Sequence, residues 1–89
     1  MTIDFALELF IPDHWVKIEE QKKIDNALNY ECTHYHTICS PAYIVICFHD
    51  PDVSDFYDDS MVAVYDKELR RLYVDPKCNF WSVVHKNDD

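Results

Sequence analysis

The sequence predicts an α+β fold: a small two-layer domain, with one helix packed on a mainly antiparallel sheet of about four to five strands. Three observations lead there. Several short stretches alternate apolar and polar residues or run apolar throughout, which is how strands with one or two buried faces read. One stretch, Trp15 to Asn29, has helical composition, with Glu19 and Glu20 ahead of Lys22 and Lys23. The chain is 48% apolar and holds 13 aromatic residues, enough to build a core from 89 residues. A chain this short buries roughly 60–65% of its unfolded surface, so one domain spanning residues 1–89 is expected, with a thin margin of stability.

Taken in order, Thr2 to Ile11 places Ile3, Phe5, Leu7, Leu9 and Ile11 on alternate positions and reads as a strand, with a helix as the rival. Pro12 ends it, and Asp13 is positioned to cap a helix running from Trp15 toward Asn29. Ile24, Ala27 and Leu28 share one helical face, whereas Trp15, Val16 and Ile18 point elsewhere. The helix therefore starts near Ile18, or its first turn packs on another surface. Asn29 suits a left-handed closing residue. Glu31 to Ile38 reads as a strand, and Pro41 interrupts it. Ala42 to Phe48 is a continuous apolar run, the pattern of a central strand. His49 to Ser60 is an acidic loop. Met61 to Tyr65 and Leu69 to Val74 flank Asp66-Lys67-Glu68 as a hairpin. The hairpin lacks glycine, so its turn is type I, or Asp66 or Lys67 is strained. Phe80 to His85 reads as a last strand. The predicted order is β-α-β-β-β-β.

Composition excludes more than it assigns. The formal net charge is −9, with only eight Lys and Arg. Phosphate binding needs a basic face, so direct binding of nucleic acid or of an anionic membrane is not expected. There is no glycine, although average usage of about 7% would give about six. Phosphate loops, dinucleotide fingerprints and the nucleophile elbow all need glycine for tight turns or close backbone approach, and are excluded. Residues 1–11 lack a basic leader and contain Asp4 and Glu8, so a cytoplasmic chain with reduced thiols is expected.

The charge is concentrated. No Lys or Arg occurs between Lys23 and Lys67, while that interval carries Asp25, Glu31, Asp50, Asp52, Asp55, Asp58, Asp59 and Asp66. Within it, Asp50, Asp52, Asp55, Phe56, Tyr57, Asp58 and Asp59 form the candidate partner-binding surface: carboxylates steer a basic partner and the two aromatics anchor. A solvated loop is the plainer account of such a run. Calcium binding is not expected, because the turn glycine and closing glutamate are missing.

A second constellation is Cys32-x-His34-x-His36-x2-Cys39. Zinc takes four N or S ligands at tetrahedral corners, and a strand here would project Cys32, His34 and His36 from one face with Cys39 folding back. The plainer account is two small buried cysteines and half-exposed histidines. Thiol–imidazole catalysis by Cys39 with His36, or Cys47 with His49, is the remaining chemistry. It needs an exposed thiolate and an oxyanion hole, and no enzyme is expected.

The sequence reading is therefore an acidic protein-binding inhibitor of the profile shared by phage counter-defence proteins, including anti-restriction and anti-CRISPR proteins, and by immunity proteins. It would block the basic nucleic-acid-binding surface of a partner, a nucleic-acid enzyme or a toxin, by DNA mimicry and without a cofactor, as a monomer or homodimer. The alternative is a zinc-stabilised structural or interaction module built on Cys32, His34, His36 and Cys39.

Overall fold

The computed structural model describes residues 11–48 and 60–86. The expected strand Thr2–Ile11 (but for its last residue) and the acidic residues Asp50–Asp59 lie outside the described residues. The described chain runs β1 (Val16–Ile18), α1 (Gln21–Leu28), β2 (Tyr35–Cys39), β3 (Tyr43–Phe48), β4 (Ser60–Asp66), β5 (Arg71–Val74) and α2 (Phe80–Val84).

The strands form one antiparallel sheet in the order β1-β5-β4-β3-β2. β2 to β5 follow one another as a meander. β1 breaks that order: it pairs with β5, matching Val16 to Val74 and Ile18 to Leu72. The chain then returns through α1 to β2 at the far edge of the sheet.

Both helices contribute to one core. Ile24 and Ala27 of α1, Phe80 and Val84 of α2, and Ile46, Ala63, Leu72 and Val74 of the sheet form one buried cluster. A bulge between Ile46 and Cys47 leaves Val62 as the extra residue on β4. Val62 and Ala63, though adjacent, then both join the core, as a bulge that keeps two successive side chains on one side allows.

Four local expectations are corrected. Residues 16–18 are a strand and not the first turn of a helix; the helix begins at Gln21 with Glu20 as its N-cap, so Asp13 does not cap it. β-branched Val16 and Ile18 favour an extended backbone, and the free edge of β5 provides its ladder. Asn29 closes α1 at φ −99°, outside the left-handed region, with its N–H bonded to the Asp25 carbonyl at 3.0 Å. Of the two alternatives for the hairpin turn, a strained Asp66 or Lys67 is the one overturned: the left-handed residue is Arg70, at φ 55°. Asp66 Oδ1 instead accepts the N–H groups of Glu68 and Leu69, both at 3.0 Å.

The fourth correction is the largest. Phe80–Val84 is a helix where a strand was expected. Its aromatic and β-branched residues carry strand propensity, but a strand would put Ser82 on the face of Phe80 and Val84, whereas the helix takes those two to zero exposure and leaves Ser82 exposed. It also sets Trp81 against His85, with ring centroids 4.2 Å apart and the planes tilted by 37°. Burial outweighs propensity differences of a few tenths of a kcal/mol per residue. The preceding turn is set by Asp75, whose Oδ1 accepts the Lys77 N–H at 2.9 Å. No helix among the described residues is long and apolar enough to cross a membrane.

Candidate functional site

The cations are unevenly placed on this sheet. All eight Lys and Arg fall among the described residues. Lys17 is on β1, Lys22 and Lys23 are on α1, and Arg71 is on β5. Lys67 and Arg70 are in the β4–β5 turn, while Lys77 and Lys86 flank α2. Strands β2 and β3 carry no charged residue of either sign, and β4 carries only Asp66.

The two flanks of the acidic segment are fixed even though its residues are not described. Phe48, which ends β3, and Ser60, which begins β4, are register partners. Residues 49–59 therefore join two adjacent strands at one end of the sheet. The β2–β3 turn lies at the other end, about 17 Å away along β3 at ~3.3 Å per residue. There Lys67 Nζ donates to the Ser40 carbonyl at 2.7 Å. The Asp75–Asn79 turn, with Lys77, sits at the acidic segment's end. Asp75, Cys78 and Asn79 help to line a cleft of about 240 Å³ that is also bounded by Tyr35, Phe48 and Ser60. Asp50, Asp52, Asp55, Phe56, Tyr57, Asp58 and Asp59 themselves are outside the described residues.

The Cys/His constellation is only half assembled. β2 begins at Tyr35, and the Tyr35 N–H bonds the Cys32 carbonyl at 3.2 Å. Cys32 and His34 thus lie in a turn, and the alternation that would have placed them on one strand face with His36 does not apply. The turn brings Cys32 Sγ to 3.9 Å from His34 Nδ1. His36 is on β2 opposite Cys47, and Cys39 is opposite Ile44 at the strand's far end. Three positions along a strand is about 10 Å and changes face, so His36 and Cys39 do not form a thiol–imidazole pair either. Among the described residues, no three His, Cys, Asp or Glu side chains come together to hold a metal ion. All four cysteines are thiols, graded from exposed Cys39 through half-buried Cys32 and Cys78 to buried Cys47.

An aromatic cluster frames the Cys32–His34 pair. His34 stacks on Phe48 at 6.0 Å and 16°, and Tyr35 meets the edge of Phe48 at 5.5 Å. Tyr30 packs edge-on against Tyr35 and Phe80, at 5.7 and 6.0 Å. Rings that contact the core fix the imidazole. His34 holds the Cys32 thiol below its ordinary value near 9, first through its main chain and then through its imidazole. The Tyr30 hydroxyl adds to this, and its own ionisation is raised in return by Cys32. Cys78 behaves oppositely: burial raises it, while the main chain at Phe80 and Trp81 draws it partly back.

The sequence contained Tyr30, Cys32 and His34 within five residues. What it did not reveal was that they precede the strand and share a turn. Comparison with protein-family models, with curated proteins and with solved structures finds no match to this chain.

Proposed function

We propose that this chain is a small acidic inhibitor that binds the basic, nucleic-acid-binding surface of a partner protein, presenting carboxylates where the partner expects phosphates. The observation that carries this reading is the separation of charge. Five aspartates fall between positions 50 and 59, and their flanks join β3 to β4 on the part of the sheet whose strands hold no Lys or Arg. A run of five carboxylates in a chain of net charge −9 gives a field that attracts a cationic groove and accelerates encounter. Phe56 and Tyr57, set among these aspartates, have the character of interface anchors: large apolar rings that supply affinity where charge supplies steering.

The partner is a nucleic-acid enzyme or a toxin with a basic groove, of the kind that counter-defence and immunity proteins block. The test is native mass spectrometry of the protein recovered gently from its source cell, as wild type and with Asp55, Asp58 and Asp59 all replaced by Lys. A one-to-one complex with a basic protein, weakened by salt and lost in the triple variant, supports the proposal. A wild-type chain recovered bare, or a complex indifferent to the charge reversal, rejects it.

A further inference from the structure

We infer that Cys32 is a site of covalent modification by small cationic disulfides, with His34 as the base that prepares it. The geometry is a nucleophile and its imidazole 3.9 Å apart, held in one turn. The imidazole is kept in place by its stack on Phe48. A thiolate is the attacking species in thiol–disulfide exchange, and an adjacent imidazole is the usual means of generating one near neutral pH.

The other three thiols make the inference selective. Cys47 is buried, and Cys78 donates its thiol hydrogen to the Asp75 carbonyl at 3.0 Å. Cys39 is the most accessible, at the end of the edge strand β2, and it is separated from the His34 pair by the length of that strand. Access alone ranks Cys39 first. Activation by His34 ranks Cys32 first, although Cys32 is the less exposed of the two. The two rankings are opposed, so reactivity distinguishes them.

The charge of the reagent follows from the surroundings. Exposed Glu31 adjoins Cys32 and the whole chain carries −9, against the single Lys77 of the Asp75–Asn79 turn that shares a cleft with Tyr35 and Phe48. An anionic disulfide is repelled and a cationic one is drawn in. In the exchange the Cys32 proton passes to His34 Nδ1 and then to solvent. The Cys32 sulfur attacks one sulfur of the reagent, and a new S–S bond forms as the old one breaks. The released half leaves as a thiolate that takes up a proton. Cys32 is oxidised and the reagent is reduced.

The experiment treats the folded protein with limiting cystamine at pH 7 and low salt, and maps the adducts by peptide mass spectrometry over time. The expected result is that Cys32 leads Cys39 by about fivefold or more. The lead collapses toward one in urea, and it shrinks in His34→Gln, which keeps a polar side chain but removes the base. Glutathione disulfide, which is anionic, reacts more slowly at Cys32 than cystamine does. The inference is overturned if Cys39 matches or leads Cys32 in the folded wild type, or if the lead survives urea. An equal or faster reaction with glutathione disulfide overturns the assignment of the reagent. The urea arm keeps the test decisive should the His34 variant fail to fold.

Discussion

Asn26 Nδ2 donates a 2.9 Å hydrogen bond to the carbonyl of Val84, 58 residues away. The bond runs from the middle of α1 to the last residue of α2, whose carbonyl has no further helical turn to satisfy it. It therefore ties together the two helices that cover the sheet, beside the apolar contact of Ile24 and Ala27 with Phe80 and Val84.

Asn26→Ala removes that donor and leaves a part-buried carbonyl to find water. The expected loss is about 1–2 kcal/mol, which for a domain of this size lowers Tm by roughly 4–15 °C. Thermal and urea unfolding followed by far-UV circular dichroism measure it. An unchanged midpoint would show that this bond contributes nothing net.

The β4–β5 turn holds a residue whose conformation suits glycine, in a chain that has none. Arg70 sits at φ 55°, where a side chain crowds its own backbone. The residue is exposed. Arg70→Gly is expected to raise stability by about 0.5–1 kcal/mol, read as a higher urea midpoint with unchanged slope. A destabilised Arg70→Gly protein would mean that the arginine side chain makes contacts worth more than the relief.

Stability should fall as pH rises through the alkaline range. Burial raises the Cys78 thiol above its ordinary value near 9, and it raises Tyr35 above 10. A group raised in the folded state gives stability that is complete below its unfolded value and is lost as pH climbs through the folded one. Cys32, which is lowered, has the opposite sign. Urea melts under reductant at successive pH values from 8 to 11 should show the decline beginning near 9. Cys78→Ala should remove the earlier part of it and leave the part that follows Tyr35. A Cys78→Ala curve parallel to wild type would exclude Cys78 as a source.

Much of the site was legible in part only. The apolar run to Phe48 and the hairpin ending at Val74 showed directly, because their patterns match a buried period-two ladder. The Cys32–His34 pair was visible as residues and misplaced as geometry: Thr33 and Tyr35 favour strands locally, but the Cys32–Tyr35 backbone bond turns the chain before β2 begins.

The sequence by itself determined the α+β class, the central strand, the hairpin and the one-sign charge of the middle of the chain. All of these follow from composition and short-range periodicity. Tertiary structure alone decided three things. Val16–Ile18 became the edge strand beside β5, since an edge ladder is available only once the hairpin exists. Phe80–Val84 became a helix, because only the formed sheet and α1 provide a surface that buries Phe80 and Val84 together. Cys32 acquired His34 as its neighbour through a turn whose imidazole rests on Phe48, a residue of the next strand. In the first two cases the deciding contact lies far along the chain; in the third a local turn closed by the Tyr35–Cys32 backbone bond makes the pair, and only the packing of its imidazole on Phe48 comes from a later strand.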